Sequence, residues 1–105
     1  MVAYEEFAKL DLRVGRVLEC SRVENSGKLL RLVVDIGNEK RQVIAGIGKQ
    51  YAPEEMEGKN IVMIANLDYR KLAGLESQGM LLAAGDAEIA LLGIDKELAP
   101  GTKVG

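Results

Sequence analysis

The spacing of apolar residues changes several times along the chain, and each change marks an element. Tyr4, Phe7, Ala8 and Leu10 recur at helical spacing, which predicts a short helix over Tyr4 to Leu10 that lays one face on the body. Glu5 and Glu6 fall in its first turn, where they complement the helix dipole. From Leu12 to Val23 the pattern becomes alternation, with Leu12, Val14, Leu18 and Cys20 on one parity. Gly15 and Arg16 interrupt it as a bulge would. Asn25-Ser26-Gly27 reads as a turn. Lys28 to Ile36 is the clearest strand, with Leu30, Leu32, Val34 and Ile36 pointing one way and Arg31 and Asp35 the other. Gly37-Asn38 leads into a further strand over Lys40 to Ile47, so these two strands should form an antiparallel hairpin.

Pro53-Glu54-Glu55 starts a short helix that Gly58 stops. Asn60 to Leu67 is apolar on both parities, which predicts an interior strand or one covered on both faces. Met80 to Ala84 reads the same way, and Ala87 to Ile94 adds one more strand-like run before Pro100-Gly101 turns into a short tail. Five main strands with a helix between the third and fourth match an all-β architecture, the OB-fold. This is a five-stranded Greek-key barrel with short helices that binds oligonucleotides on strands 2 and 3 and the adjoining loops. A single domain over 1–105 is expected, with the barrel at about 11–86 and a C-terminal extension over 87–105. The extension carries Ile89, Leu91, Leu92 and Ile94, which a closed five-stranded barrel does not need. Left exposed they would form a patch that monomers avoid, so a homodimer that buries them is expected.

Composition narrows the chemistry. The chain has 105 residues, 48% of them hydrophobic, yet one Phe, three Tyr and no Trp, so its core must be aliphatic. A net charge of -2 draws in no polyanion globally, and nucleic acid could be held only by a local basic patch. With no histidine and one cysteine, His/Cys zinc sites and His-based triads are impossible, and neither metal nor cofactor is expected. Cys20 has no disulfide partner, which fits a reducing compartment, and its alternation with Leu18 reads as a small core hydrophobe. Gly46-Ile47-Gly48 lacks the third glycine of a dinucleotide loop, since position 51 is Tyr. Gly74 and Gly79 have P-loop spacing, but Met80 stands where the lysine is needed. Glu54, Glu55 and Glu57 read as a solvated helix face. No apolar run is long enough to cross a membrane, and the first residues lack signal-peptide regions, so a cytoplasmic location is expected.

The stretch Ala65–Gly85, ANLDYRKLAGLESQGMLLAAG, carries the candidate site. It runs from an apolar strand through a loop with adjacent Arg70 and Lys71, then enters a second strand at Ser77, Gln78, Gly79 and Met80. Cations with amide and hydroxyl donors, and no acid–base pair, suit gripping a phosphate backbone rather than catalysis. Lys28 and Arg31 on the second strand and Arg41 and Gln42 on the third could converge with them on one face. Ordinary surface cations are the competing reading.

DLRVGRV (Asp11–Val17), KLLRLVVDIG (Lys28–Gly37), RQVIAGI (Arg41–Ile47), YAPEEMEGK (Tyr51–Lys59) and NLDYRKLAGLESQGMLLAA (Asn66–Ala84) occur in order. Together they resemble the tRNA-binding OB-domain family, which includes a domain appended to methionyl-tRNA synthetases and stand-alone structure-specific tRNA-binding proteins. The resemblance covers nearly the whole chain, and S-x-G-M at Ser77–Met80 is its most specific element. It implies a non-catalytic, dimeric module that binds tRNA by folded shape, with a methionyl-tRNA synthetase catalytic chain as a further partner. Matched position by position, the tRNA contacts would be Lys28, Arg41, Gln42, Asn66, Arg70, Lys71, Ser77, Gln78 and Met80. The chain departs from the family at Val23–Gly27, where a segment like His-Pro-x-Ala-Asp is usual, so that turn should differ and Lys28 with it. A secretion-related chaperone branch shares the fold, which makes an OB-fold chaperone that binds unfolded polypeptides the alternative.

Overall fold

The computed structural model describes residues 1–105. In chain order its elements are α1 (Tyr4–Phe7), β1 (Leu12–Arg22), β2 (Leu30–Asp35), β3 (Lys40–Ala45), α2 (Pro53–Met56) and β4 (Asn60–Ile64). There follow β5 (Arg70–Leu72), β6 (Leu75–Ser77), β7 (Met80–Leu81), β8 (Ala83–Gly85), β9 (Ile89–Leu91) and β10 (Lys103–Val104). The main sheet runs β3-β2-β1-β4-β7, antiparallel at every pairing, with β10 added to the start of β1. This is the five-stranded, nearly closed OB-type barrel that the strand count predicts.

Two apolar layers hold it. Strict alternation in β2 puts Leu30, Leu32 and Val34 inside, where they meet Val17, Val43, Ile61 and Met63. Met56 of α2 plugs this inner core with no exposed surface. On the outer face, Leu12 of β1 and Val62 and Ile64 of β4 form a second cluster, covered by Leu82, Ile94 and Val104. Strand β4 is therefore apolar on both parities because both its faces are covered, as its sequence suggests. The extension packs back on its own barrel: Ile94 joins the outer cluster, and Ile89 and Leu91 pack on the inner one. Gln50 and Tyr51 hold the β8–β9 hairpin from outside. The Gln50 amide donates to Ala87 O (2.7 Å) and its oxygen accepts from the Ile89 N–H, while the Leu91 N–H donates to Tyr51 Oη (3.1 Å).

Three expectations need correction. The N-terminal helix is a single turn that buries nothing, with Tyr4 77% and Phe7 41% exposed. No side chain caps it, and the chain is first tied to the body beyond it, where Asn66 accepts from the Asp11 N–H and donates to Lys9 O. The irregularity in β1 falls between Val17 and Glu19 rather than at Gly15 and Arg16, and it throws Leu18 out to the surface. Gly15 instead allows close packing, because a Cβ there would lie 2.5 Å from Val34 Cγ1. Finally, the stretch expected as one strand from Met80 to Ala84 is split into β7, which pairs with β4, and β8, which pairs with β9.

The tail is locked against the β2–β3 turn. Gly101 donates its N–H to Val14 O (2.7 Å), and Thr102 O accepts from the Val14 N–H (2.9 Å). Gly101 has φ +89, and a Cβ on it would stand 2.3 Å from Ile36 O. Both the left-handed backbone and the contact exclude a side chain. Gly101→Ala is expected to cost about 1–3 kcal/mol of stability in urea unfolding. An unchanged midpoint would mean that the tail is not part of the cooperative unit.

Candidate nucleic-acid interface

A barrel of this strand order must join the outer edge of β3 to the segment that follows β6. Here the joint is made mostly by side chains. One backbone bond crosses it, from the Gln78 N–H to Gln42 O (2.7 Å). The Gln42 N–H donates to Gln78 Oε1 (3.0 Å) and the buried Ile44 N–H to Ser77 Oγ (3.0 Å). Gln42 Nε2 reaches Glu76 O (2.8 Å), and Arg31 Nε donates to Gln42 Oε1 (2.7 Å). Arg41 donates to Ala65 O (2.8 Å) and Gln78 O (2.9 Å), pairs with Glu39, and lies 5.8 Å from the Tyr69 ring centroid. Its side chain is 14% exposed. Arg41, Gln42, Ser77 and Gln78 thus spend their polar atoms on closing the barrel, and Asn66 spends its own on the N-terminal segment. Residue type marks all five as polar candidates but not which way their hydrogen bonds run.

The remaining candidates are free. The β5–β6 hairpin turns at Ala73 (φ 51) and Gly74 (φ 80), the two left-handed residues that a tight hairpin of this twist requires. Arg70 and Lys71 stand exposed on its first strand. The chain's five ion pairs use Lys9, Arg13, Arg16, Arg41 and Lys103, so Lys28, Arg70 and Lys71 meet no carboxylate. The altered turn at 23–27 closes on itself: Asn25 adopts φ 63, and Ser26 Oγ accepts from the Leu29 N–H (3.1 Å). This leaves Lys28 exposed, with its backbone oxygen bonded to the Gly48 N–H (2.7 Å).

Between the end of β3 and the β5–β6 hairpin lies a cleft of about 780 Å³, lined chiefly by apolar side chains. Lys28, Arg70 and Asp68 are its charged members, and half-exposed Met80 contributes to its wall. Lys49 shares a shallow pocket with Lys28 nearby and is likewise unpaired. The sequence pattern did not single out Lys49 or the cleft, because the cleft is assembled from segments far apart in the chain. The one signal was the Gly-rich GIGK run after β3, which has the wrong spacing for a cofactor loop. Gly79 lies tightly against the core rather than in an open loop: a Cβ there would stand 2.2 Å from Met63 Cε and 3.2 Å from Ile64 O. Of the apolar residues in the extension, Leu92 is exposed, whereas Ile89 and Leu91 line this cleft. Burial pushes the Cys20 thiol up to about 11, away from nucleophilic chemistry.

Ser77→Ala would orphan the buried Ile44 N–H and is expected to cost about 1–3 kcal/mol. Arg70→Ala, on the exposed hairpin, should stay within about 0.5 kcal/mol. Urea unfolding of the two variants side by side checks the division between closure and free surface.

Comparison with known proteins agrees with this geometry. Residues 12–103 match the family described as "Putative tRNA binding domain". The chain is 54% identical over 104 residues to the methionine–tRNA ligase of Thermotoga maritima and 53% identical over 104 residues to that of Methanococcus aeolicus. These matches cover 98% and 99% of this chain but 16% of each ligase, so the chain spans about one sixth of the length of these curated relatives. The crystal structure of a MetRS-related protein from Pyrococcus horikoshii superposes with a TM-score of 0.95 at 36% identity, covering 100% of this chain and 98% of that one. That of the chaperone CsaA from Bacillus anthracis superposes with a TM-score of 0.92 at 33% identity, covering 100% and 99%. With a barrel, a side-chain closure and a matched span of this extent, the chain belongs to the tRNA-binding domain family that is also found within methionine–tRNA ligases.

Proposed function

We propose that the chain is a non-catalytic module that binds tRNA by its folded shape, acting as a stand-alone protein or as an accessory domain or subunit of methionyl-tRNA synthetase in the cytoplasm. The observation that carries this reading is the group of unpaired cations in a member of this family: Lys28 and Arg70 line the cleft, Lys49 shares a shallow pocket with Lys28, and Lys71 stands exposed next to Arg70 on β5. They supply phosphate contacts, and Met80 an apolar one. Arg41, Gln42, Asn66, Ser77 and Gln78 act by shaping the surface. With few aromatic rings the chain offers little stacking platform for a long single strand, so intact tRNA should bind better than unstructured oligonucleotides.

Each phosphate contact releases counterions, with a slope of roughly 0.7–0.9 in log K against log salt. Arg70→Ala and Lys71→Ala should each flatten the slope by about one contact and weaken tRNA binding about sixfold at ~0.1 M salt. Filter binding across a salt series reads both, and a slope untouched by either substitution would put the site elsewhere. The second reading, an OB-fold chaperone, is favoured by the apolar lining of the cleft and by the likeness to CsaA. Retention of an unfolded polypeptide in preference to tRNA at matched salt would support it.

The module is proposed to work as a homodimer. Tyr4 and Phe7 of α1 and Leu92 and Leu98 of the extension are large hydrophobic side chains that the chain leaves exposed. Burying them against a second copy would also bring two basic patches to one large RNA. Sedimentation at micromolar concentration should give a dimer, and Phe7→Asp combined with Leu92→Asp a folded monomer with weaker tRNA binding. A monomeric unmodified chain would end this part of the proposal.

A further inference from the structure

The cleft combines an apolar interior with a cationic mouth, and contact with the phosphates on the outside of an RNA helix accounts for the mouth but not for the interior. Its volume of about 780 Å³ lies in the range of sites that enclose a small molecule. Ile44, Leu67, Leu72, Met80 and Leu91 line it. Ser77 is the one neutral polar side chain on the lining, and its hydroxyl already accepts from the Ile44 N–H and donates to Gly79 O (3.3 Å). The interior is therefore built for a flat apolar face and has little left to read the edge of a base.

We propose that the cleft takes one unstacked nucleotide of the bound RNA. The base enters the apolar interior against Met80, and Lys28 and Arg70 hold the phosphates that flank it. This rests on the tRNA-binding reading above. Loops of a folded RNA are where bases can be splayed out and held on their faces. A polarisable thioether is a favourable neighbour for such a π-face. Charge separates this occupant from an apolar peptide: Asp68 on the cleft and Asp86 beside Lys28 and Lys49 form no ion pair with Lys28 or Arg70, and a neutral peptide backbone makes no use of these two cations, whereas a phosphodiester on each side of the base does. Because no free donor or acceptor on a neutral side chain faces the base, the pocket adds affinity without sequence preference, in keeping with recognition by shape.

The test fills the cleft without touching a charge. Gly46 lines it with room for a side chain, since nothing lies within 4 Å of where its Cβ would be, and Ala83 lines it from an exposed position. Gly46→Leu and Ala83→Leu are each expected to lower tRNA affinity about tenfold while leaving the salt slope unchanged, unlike Arg70→Ala. Urea midpoints near that of the unmodified chain show the barrel intact in at least one of the two. Adenosine 5′-monophosphate at millimolar concentration should shift the Met80 methyl resonance of the unmodified chain, and Gly46→Leu should abolish the shift. Full tRNA affinity in both filled variants, or no Met80 shift with the nucleotide, overturns the assignment while leaving tRNA binding in place. Filled variants that lose an unfolded polypeptide but keep tRNA give the cleft to a peptide and overturn it as well. An unmodified chain that binds no tRNA overturns the functional reading itself.

Discussion

The closure of the barrel and the place of the β5–β6 hairpin depend on how the outer edge of β3 is satisfied. A strand edge presents unpaired N–H and C=O groups, and burying them unpaired would be costly. The segment after β6 is too short and irregular to continue the ladder there, with one backbone bond across the joint. Arg41, Gln42, Ser77 and Gln78 supply the rest from their side chains. Because these bonds share partners, they act as a network rather than as independent pairs. Arg41 reaches both the end of β4 and Gln78, and Gln42 reaches Glu76, so the network also sets where the β5–β6 hairpin leaves the barrel. The exposed cations on that hairpin owe their position to polar residues whose bonds are spent within the barrel.

The division between what the sequence made legible and what it hid follows from this. Strand β2, the β2–β3 hairpin and α2 were readable because local rules agree there: alternation, a Gly-Asn turn, and proline before a glycine stop. The double coverage of β4 was readable for the same reason, since apolar residues on both parities have no other use. Helix α1 was misread because periodicity shows which residues share a face and says nothing of whether a surface waits for them. The bulge was displaced from Gly15 to Leu18 because a buried glycine serves a close approach as readily as an irregular strand. At the candidate site, motif matching singled out a stretch of chain, yet it could not tell an arginine aimed at solvent from one aimed at a carbonyl. Arg41 and Arg70 look alike in the sequence and differ entirely in what they touch. The cleft was invisible because no continuous segment contains it.

The electrostatics are local. The chain carries a net charge of -2, so long-range attraction toward a polyanion is absent. Carboxylates are paired with several of its cations, and the unpaired ones that remain include those around the cleft. Salt screens exposed charges beyond about 10 Å at ~0.1 M, so such a patch acts only once the partner has arrived. A patch of this kind adds grip rather than speed of encounter.

The pairing of β10 with the start of β1 has a geometric consequence. Leu12 and Val104 are direct register partners, so the two ends of the barrel domain leave it side by side. The Pro100–Gly101 turn meets the β2–β3 turn at Gly37, whereas Lys28 and the end of β3 lie at the other end of that hairpin. A β2 strand of six residues separates those ends by roughly 20 Å. Any polypeptide joined to either end would start from the same corner, so the domain could be tethered through one end, through the other, or as an insertion with the same pivot. In each arrangement the rim of the β2–β3 hairpin that carries Lys28 swings at the far end of the lever.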